Sequence, residues 1–162
     1  MEEYEGGPMG MGTALVRTAF LVDAVYADAV RHFDLTVPQA QLLCVIMARP
    51  FGMFELAKTL GLAKSSISGL VDRCEKRDLV RRESDPGDGR AARVALTAKG
   101  AQLADEFHDD VTRRVAELPL SLSEAERATL VDLLGRVVVD NQVPPVFTEC
   151  PASQGCTESG GS

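Results

Sequence analysis

Four polar residues crowd the start of a predicted helix, and their types suit contact with a polyanion. They are Lys64, Ser65, Ser66 and Ser68. A serine hydroxyl both donates and accepts hydrogen bonds, and a lysine ammonium attracts phosphate. Exposed N–H groups at a helix N-terminus attract phosphate as well. This chemistry suits the base edges and phosphates of nucleic acid, the alternative being that the serines only cap the helix.

A helix-turn-helix pattern positions these residues. A short helix is predicted from about Phe54 to Leu60, and Gly61 ends it. A second helix is predicted from about Ser65 to Lys76, with apolar residues on one face. Two helices joined by a short turn that contains Gly are typical of this motif. The apolar residues of the second helix are Ile67, Leu70, Val71 and Cys74.

A β-hairpin is predicted to follow the second helix. Residues 79–82 and 93–96 are predicted strands, and residues 84–90 between them are dense in turn-forming types. Arg73 on the helix and Arg93 on the hairpin are expected to contact phosphates rather than bases. The alternative for each is an ordinary exposed surface position.

Long amphipathic helices flank this module. They are predicted over residues 13–33, from Thr36 to about residue 48, over 98–118 and over 124–140. Thr36 and Thr97 are predicted N-caps, and Ser123 with Glu126 forms a predicted capping box. These elements predict a mainly α fold with a small β-hairpin wing, that is, a winged helix-turn-helix flanked by N- and C-terminal helices.

Five segments follow from this pattern. The DNA-binding winged module is expected over residues 36–97, between dimerisation helices at 13–35 and 98–141. The flanking helices carry apolar faces that one small winged domain cannot cover, which favours a dimer over helices that fold back on their own core. Residues 1–12 and 142–162 are expected to be flexible ends.

Charge is distributed unevenly along the 162 residues, although the net charge is −7. Between Glu55 and Lys99 there are ten Lys and Arg against seven Asp and Glu, which gives +3. The remainder has seven bases and seventeen acids, which gives −10. A positive module inside an acidic chain fits a nucleic-acid partner better than the net charge suggests.

Several function classes find no support in the sequence. No Gly-rich phosphate loop, nucleophile–base pairing or metal motif is present, so we expect neither an enzyme nor a cofactor. No run of about 18 or more apolar residues is found, so no membrane partner is expected. The first residues lack the basic-then-apolar order of a secretory signal, and a cytoplasmic location is expected.

Residues 13–141 resemble the MarR-type regulators, a winged helix-turn-helix family named for multiple antibiotic resistance. The matching runs are Glu55-Leu56-Ala57 with Leu60-Gly61-Leu62, Ile67-Ser68-Gly69-Leu70-Val71-Asp72-Arg73 with Leu79-Val80-Arg81-Arg82, and Asp85-Pro86-Gly87-Asp88-Gly89-Arg90 with Val94-Ala95-Leu96-Thr97 and Gly100. Cys74 and Asp78 depart from the usual Leu and Gly, and Met53 and Phe54 replace the usual polar capping residues. Asp tolerates a left-handed backbone, so the turn at residue 78 is expected to survive.

The resemblance implies a homodimeric repressor that binds a pseudo-palindromic operator and is relieved by a small ligand. It implies that Arg90 at the wing tip enters the minor groove and that Asp88 orients it, rather than both standing in a solvated turn. It also implies a pocket for aromatic acids or phenols. Candidate lining residues are Arg17, Tyr26 and Met47, unless these side chains simply pack.

Other modes of action stay open. Cys150 and Cys156 near the C-terminus are close enough in sequence to pair in a redox sensor, whereas Cys44 and Cys74 lie on apolar faces and are expected to be inert. A metal sensor would have to use His32 and His108 with nearby carboxylates at Asp28, Asp109 and Asp110. A winged module that binds only protein is a further alternative, against which the basic residues argue.

Overall fold

A computed structural model describes residues 9–87, 91–144 and 147, and this part of the chain forms six helices and three strands. The elements are α1 (Met11–His32), α2 (Val37–Ile46), β1 (Phe51–Gly52), α3 (Met53–Leu60), α4 (Lys64–Lys76), β2 (Val80–Ser84), β3 (Ala92–Leu96), α5 (Ala98–Ala116) and α6 (Glu124–Asp140). The predicted fold class is confirmed: a winged helix-turn-helix lies between flanking helices. Each predicted helix is found, and its ends are within about two residues of the expectation.

Side-chain caps begin three of the helices, as the sequence predicts. The Thr36 hydroxyl accepts a hydrogen bond from the Gln39 N–H, and the Gln39 side chain accepts one from the Thr36 N–H. Thr97 accepts at the start of α5, and Ser123 with Glu126 closes the same reciprocal box at α6. Each cap pairs backbone donors that a helix start leaves without partners.

The sheet contains one strand that the sequence analysis missed. Its order is β1-β3-β2, and both neighbours of β3 are antiparallel. Phe51 pairs with Val94 and Gly52 with Arg93. The sequence analysis ends the second helix at about residue 48 and predicts no strand before the short helix that follows. Two residues are too few to show a strand period, and this strand exists because β3 offers it an edge.

The hydrophobic core lies where α2, α4 and α5 meet the sheet. Leu42 and Leu43 of α2 and Phe107 of α5 are among its largest fully buried side chains. Cys44 and Cys74 are buried in the same core, which confirms the expectation for both residues. Burial raises the pKa of the Cys44 thiol to about 12 and that of the Cys74 thiol to about 11, so neither is a thiolate near neutral pH.

Left-handed residues close the turns around α3 and α4. Gly61 follows α3 with φ of 64°, and Asp78 follows α4 with φ of 58°. The expectation that Asp78 keeps the turn of the usual glycine is therefore confirmed. The Leu79 N–H then donates to the Cys74 carbonyl at 3.0 Å, which leads the chain directly into β2.

The α6 helix has no buried residue, although it is rich in apolar residues. Within the described residues its apolar side chains and those of the first half of α1 are left in contact with solvent. The exposed side chains are Met11, Leu15, Val16, Phe20, Leu21, Val131, Leu133, Leu134, Val137, Val138 and Val139. None of the six helices in the described ranges combines the length and the hydropathy that a membrane span requires.

Candidate nucleic-acid interface

The N-terminus of α4 presents three of the four polar residues that the sequence singled out. Lys64 is its first residue, and Lys64, Ser65 and Ser66 are exposed. The N-cap is Ala63, and no side chain caps the helix. The alternative that the serines only cap α4 is therefore wrong. The start of α4 has no side-chain cap, and Ser65 and Ser66 are exposed, so the first N–H groups of α4 and the two serine hydroxyls can meet an anionic ligand.

Ser68 and Arg73 lie farther along α4. The half-buried Ser68 hydroxyl donates to the Lys64 carbonyl at 3.1 Å, so its oxygen keeps only acceptor capacity for a ligand. Arg73 is exposed and lies back along the helix over Gly69. A Cβ atom at residue 69 would stand 3.4 Å from an Arg73 guanidinium nitrogen. The positive charge of Arg73 therefore stays on the surface of α4.

The hairpin holds Arg93 among acids. Its guanidinium forms an ion pair with Glu83 at 3.2 Å and lies 4.0 Å from Asp85. These carboxylates offset its charge, so the predicted phosphate contact has to compete with them. Asp88 and Arg90, the predicted tip residues, lie outside the described residues, and their roles stay predictions.

An arginine that the sequence analysis did not single out joins the wing to α4. The Arg82 guanidinium of β2 contacts Glu75 and forms an ion pair with Asp72 at 2.7 Å. The Glu75 carboxylate also accepts a hydrogen bond from the Arg82 N–H at 3.1 Å. Both carboxylates lie on α4, one turn apart, so Arg82 holds the hairpin at a set angle to α4. No local pattern signals this contact, because its partners are seven and ten residues away.

A second arginine joins α4 to the helices before the motif. Arg77 follows α4 directly, and its guanidinium donates to the Asp34 carbonyl at 2.7 Å. It also forms an ion pair with the Asp34 carboxylate at 3.2 Å and donates to the Gln39 side chain at 3.3 Å. Arg77 therefore links the α1–α2 junction to the end of α4.

A cavity of about 320 Å³ adjoins Tyr26 on α1. Its lining residues are Tyr26, Gln41, Cys44, Thr59, Leu60, Pro144 and Phe147. The Tyr26 hydroxyl is buried and has no hydrogen-bond partner among the described residues. Burial raises the pKa of this hydroxyl, with a smaller contribution from Cys44, so it is neutral and keeps its proton.

The other two predicted pocket residues lie elsewhere. Met47 is half-buried and packs against the core, and Arg17 lies exposed on α1. Neither lines the cavity beside Tyr26. The sequence analysis also missed Phe147, whose ring stacks on His108 at 4.9 Å and lies 5.8 Å from the Tyr26 ring. Hydrophobic periodicity relates only residues within one helix or strand, so it could not predict contacts between residues this far apart in sequence.

Within the described ranges, no site is assembled that could sense a signal through a metal ion or a disulfide. His32 is exposed, and His108 is buried beside Phe147. No group of three or more His, Cys, Asp or Glu in residues 9–87, 91–144 and 147 is arranged to hold a metal ion. Cys150 and Cys156 lie outside the described residues, so redox pairing stays a prediction.

Known proteins resemble this chain in sequence, and solved structures resemble it in fold. Residues 33–91 match the family model of the MarR family. The transcriptional repressor NicR of Pseudomonas putida is 35% identical over 117 residues, which are 71% of this chain and 73% of NicR. Wild-type apo MarR from E. coli is 27% identical with a TM-score of 0.68, over 82% of this chain and 99% of MarR. BpsR of Bordetella bronchiseptica, whose DNA binding is regulated by 6-hydroxynicotinic acid, is 25% identical with a TM-score of 0.61, over 81% of this chain and 97% of BpsR.

Proposed function

Because the chain belongs to the MarR family of DNA-binding transcription regulators, we propose that it is a homodimeric repressor of a pseudo-palindromic operator. The uncapped N-terminus of α4, with Lys64, Ser65 and Ser66 exposed, is the observation that carries this proposal. In a helix-turn-helix the N-terminal residues of the second helix contact base edges in the major groove. The name of NicR as a repressor supports the direction of regulation.

Each predicted contact has a separate role in this proposal. Ser65 and Ser66 read base edges through hydroxyls that pair with either donors or acceptors, and Ser68 reads them through its hydroxyl oxygen as an acceptor only. Lys64, Arg73 and Arg93 contact phosphates and so set the position of α4 on the duplex. At the wing tip, Arg90 enters the minor groove with Asp88 orienting it.

The exposed apolar surface of α1 and α6 supports the dimer. The seventeen residues of α6 include none that is buried in the single chain, yet five of them between Leu133 and Val139 are large apolar residues left exposed. A continuous apolar surface of this kind marks a protein interface. Residues 13–35 and 98–141 are proposed to pair with the same segments of a second copy, which would set two α4 helices about one helical turn of DNA apart.

Dimerisation is tested by sedimentation equilibrium on the full chain. Val137→Glu places a charge on the exposed face of α6 and is expected to raise the dimer dissociation constant by at least about a hundredfold. Val37→Glu is the matched control, because Val37 is an exposed valine at the start of α2 and should leave the dimer intact. A Val137→Glu protein that stays as dimeric as wild type would refute this interface.

A small aromatic acid is the proposed effector, bound in the cavity beside Tyr26. The neutral, unpartnered Tyr26 hydroxyl can donate to a carboxylate, while Leu60 and Phe147 contact an aromatic ring. The likeness to BpsR makes 6-hydroxynicotinic acid the first compound to test. If it is the effector, it will release operator DNA, and Tyr26→Phe will weaken that release while leaving DNA affinity unchanged. If the compound releases DNA equally well from wild type and from Tyr26→Phe, Tyr26 is not part of the effector site.

DNA binding itself is tested by fluorescence anisotropy with duplexes taken from the promoter beside the gene. Lys64→Ala is expected to make the dependence of log K on log salt less steep. The magnitude of the slope should fall by about 0.9 for each lysine that contacts phosphate. Lys76→Ala is the matched control, since Lys76 is exposed at the opposite end of α4. Arg90→Ala tests the wing in the same assay. Wild-type affinity that does not depend on salt would contradict the proposed function.

A further inference from the structure

An apolar groove runs along α3, and it is named here the α3 groove. It has a volume of about 570 Å³, and its lining side chains are those of Met53, Phe54, Ala57, Lys58, Leu62 and Lys64. Phe54 is 85% exposed, the largest exposed fraction among the large apolar residues of the described chain. A single exposed apolar residue needs no explanation, but an aromatic ring on the wall of an apolar groove indicates a contact surface.

The charges at the α3 groove are all positive. Lys58 and Lys64 are its only charged lining residues in the described structure. The acid of the same helix, Glu55, does not oppose them, because both of its carboxylate oxygens accept hydrogen bonds from Arg49. The occupant of the groove therefore combines negative charge with an apolar surface.

The groove is continuous with the proposed DNA-reading surface. Lys64 lines it and is also the first residue of α4, beside Ser65. In a helix-turn-helix the first helix crosses the sugar–phosphate backbone while the second lies in the major groove. Here α3 is that first helix. A DNA strand has the two properties that the groove requires, because the C–H surface of deoxyribose can pack against apolar side chains and the phosphates beside it are anionic.

We propose that the α3 groove holds the sugar–phosphate backbone of the operator, with a deoxyribose against Phe54 and phosphates on Lys58 and Lys64. The inference rests on the proposed function and adds Phe54 and Lys58 to its DNA contacts. Contacts of this kind position the protein and carry no base preference. They should therefore contribute equally to the binding of operator and of random duplex.

Two substitutions separate the charged contact from the apolar one. Lys58→Ala removes two phosphate contacts per dimer and should lower the log–log salt slope by about 1.8. Phe54→Ala should leave the slope unchanged and weaken binding about tenfold to operator and to random duplex alike, because only apolar contact is lost. Phe54→Leu keeps an apolar side chain and should restore most of that affinity.

The measurement is fluorescence anisotropy on the full chain, with duplexes of about 30 base pairs that hold two half-sites one turn apart. Lys76→Ala should retain the wild-type slope. Both target residues are exposed, so thermal unfolding by circular dichroism should be unchanged in every variant. A wild-type slope for Lys58→Ala, or wild-type affinity for Phe54→Ala, would overturn the inference. So would a Phe54→Ala loss confined to the operator, because that outcome means base reading. If wild type itself binds neither duplex in a salt-dependent way, the proposed function fails rather than this assignment alone.

Discussion

Replacing Gly100 with Ala is expected to destabilise the protein, because α5 passes the start of β2 with no room for a side chain. A Cβ atom at residue 100 would stand 1.8 Å from the Leu79 carbonyl oxygen and 2.7 Å from its carbonyl carbon. Both obstacles are backbone atoms, so no side-chain rotation relieves the clash. The same Leu79 oxygen accepts the Thr97 N–H at 3.1 Å, and that bond joins β2 to the start of α5.

The magnitude follows from two opposing effects. Overpacking a core costs about 1–3 kcal/mol or more, and a clash with backbone belongs at the upper end of that range. Ala is favoured over Gly inside a helix by about 1 kcal/mol, which offsets part of the cost. The free energy of unfolding should therefore fall by about 2 kcal/mol, and for a chain of this size the Tm should drop by about 4–8 °C.

The assay is thermal and urea unfolding followed by circular dichroism at one protein concentration, since the stability of a dimer depends on concentration. Gly69→Ala is the matched control, because Gly69 lies inside α4 and a Cβ atom there would meet only the end of the Arg73 side chain, at 3.4 Å. That variant should be as stable as wild type or more stable. A Gly100→Ala protein with the wild-type Tm would refute the packing described for α5 and β2.

Three further changes test other contacts. Arg82→Ala should lower the free energy of unfolding by about 1 kcal/mol in urea, because Asp72 and Glu75 lose their shared partner; full stability in this variant would show that the contact only orients the wing. Thr97→Ala should cost about 1–2 kcal/mol, because the Thr97 hydroxyl accepts from Gly100 and donates to the Asp78 carbonyl, and Thr97→Ser should recover most of it; equal losses in both variants would contradict a role for the hydroxyl. Cys44 and Cys74 should resist alkylation at neutral pH in peptide-resolved mass spectrometry unless urea is added, and labelling of the native protein would contradict their burial. Since burial raises the pKa of both thiols to about 12 and about 11, their contribution to stability is complete below the unfolded pKa near 8.5 and is lost as pH rises towards 11–12.

Local signals in the sequence predicted the helices and their caps. The pairs Thr36 with Gln39 and Ser123 with Glu126 are three residues apart, so each cap is a property of a single helical turn. The apolar face of α4 and the turn residues of the hairpin are equally local, and both were predicted. The left-handed Asp78 also followed from residue type, because Asp adopts this conformation more readily than most residues.

The candidate site was predicted only in part. The sequence placed Lys64, Ser65 and Ser66 together at the start of α4, but residue types alone could not separate a capping serine from an exposed one. The structure separates them, because Ala63 begins α4 and no side chain caps it. The resemblance to the MarR-type regulators made Tyr26 a candidate pocket residue, but its unpartnered hydroxyl beside a cavity depends on α2, α3 and Phe147 packing around it.

The sequence by itself determined the order of the helices and hairpin strands, the side-chain caps and the group of polar residues at the start of α4, because each of these depends on neighbours within a turn or a strand. The tertiary structure alone decided the pairing of β1 with β3, the contacts of Arg82 with α4 and the close approach of Gly100 to Leu79. These contacts join residues that lie from seven to more than forty positions apart in the chain. Sequence periodicity cannot predict such contacts, because they form only when whole elements pack together. Packing then pairs charged groups, completes the hydrogen bonds of a strand edge and fills the space between elements.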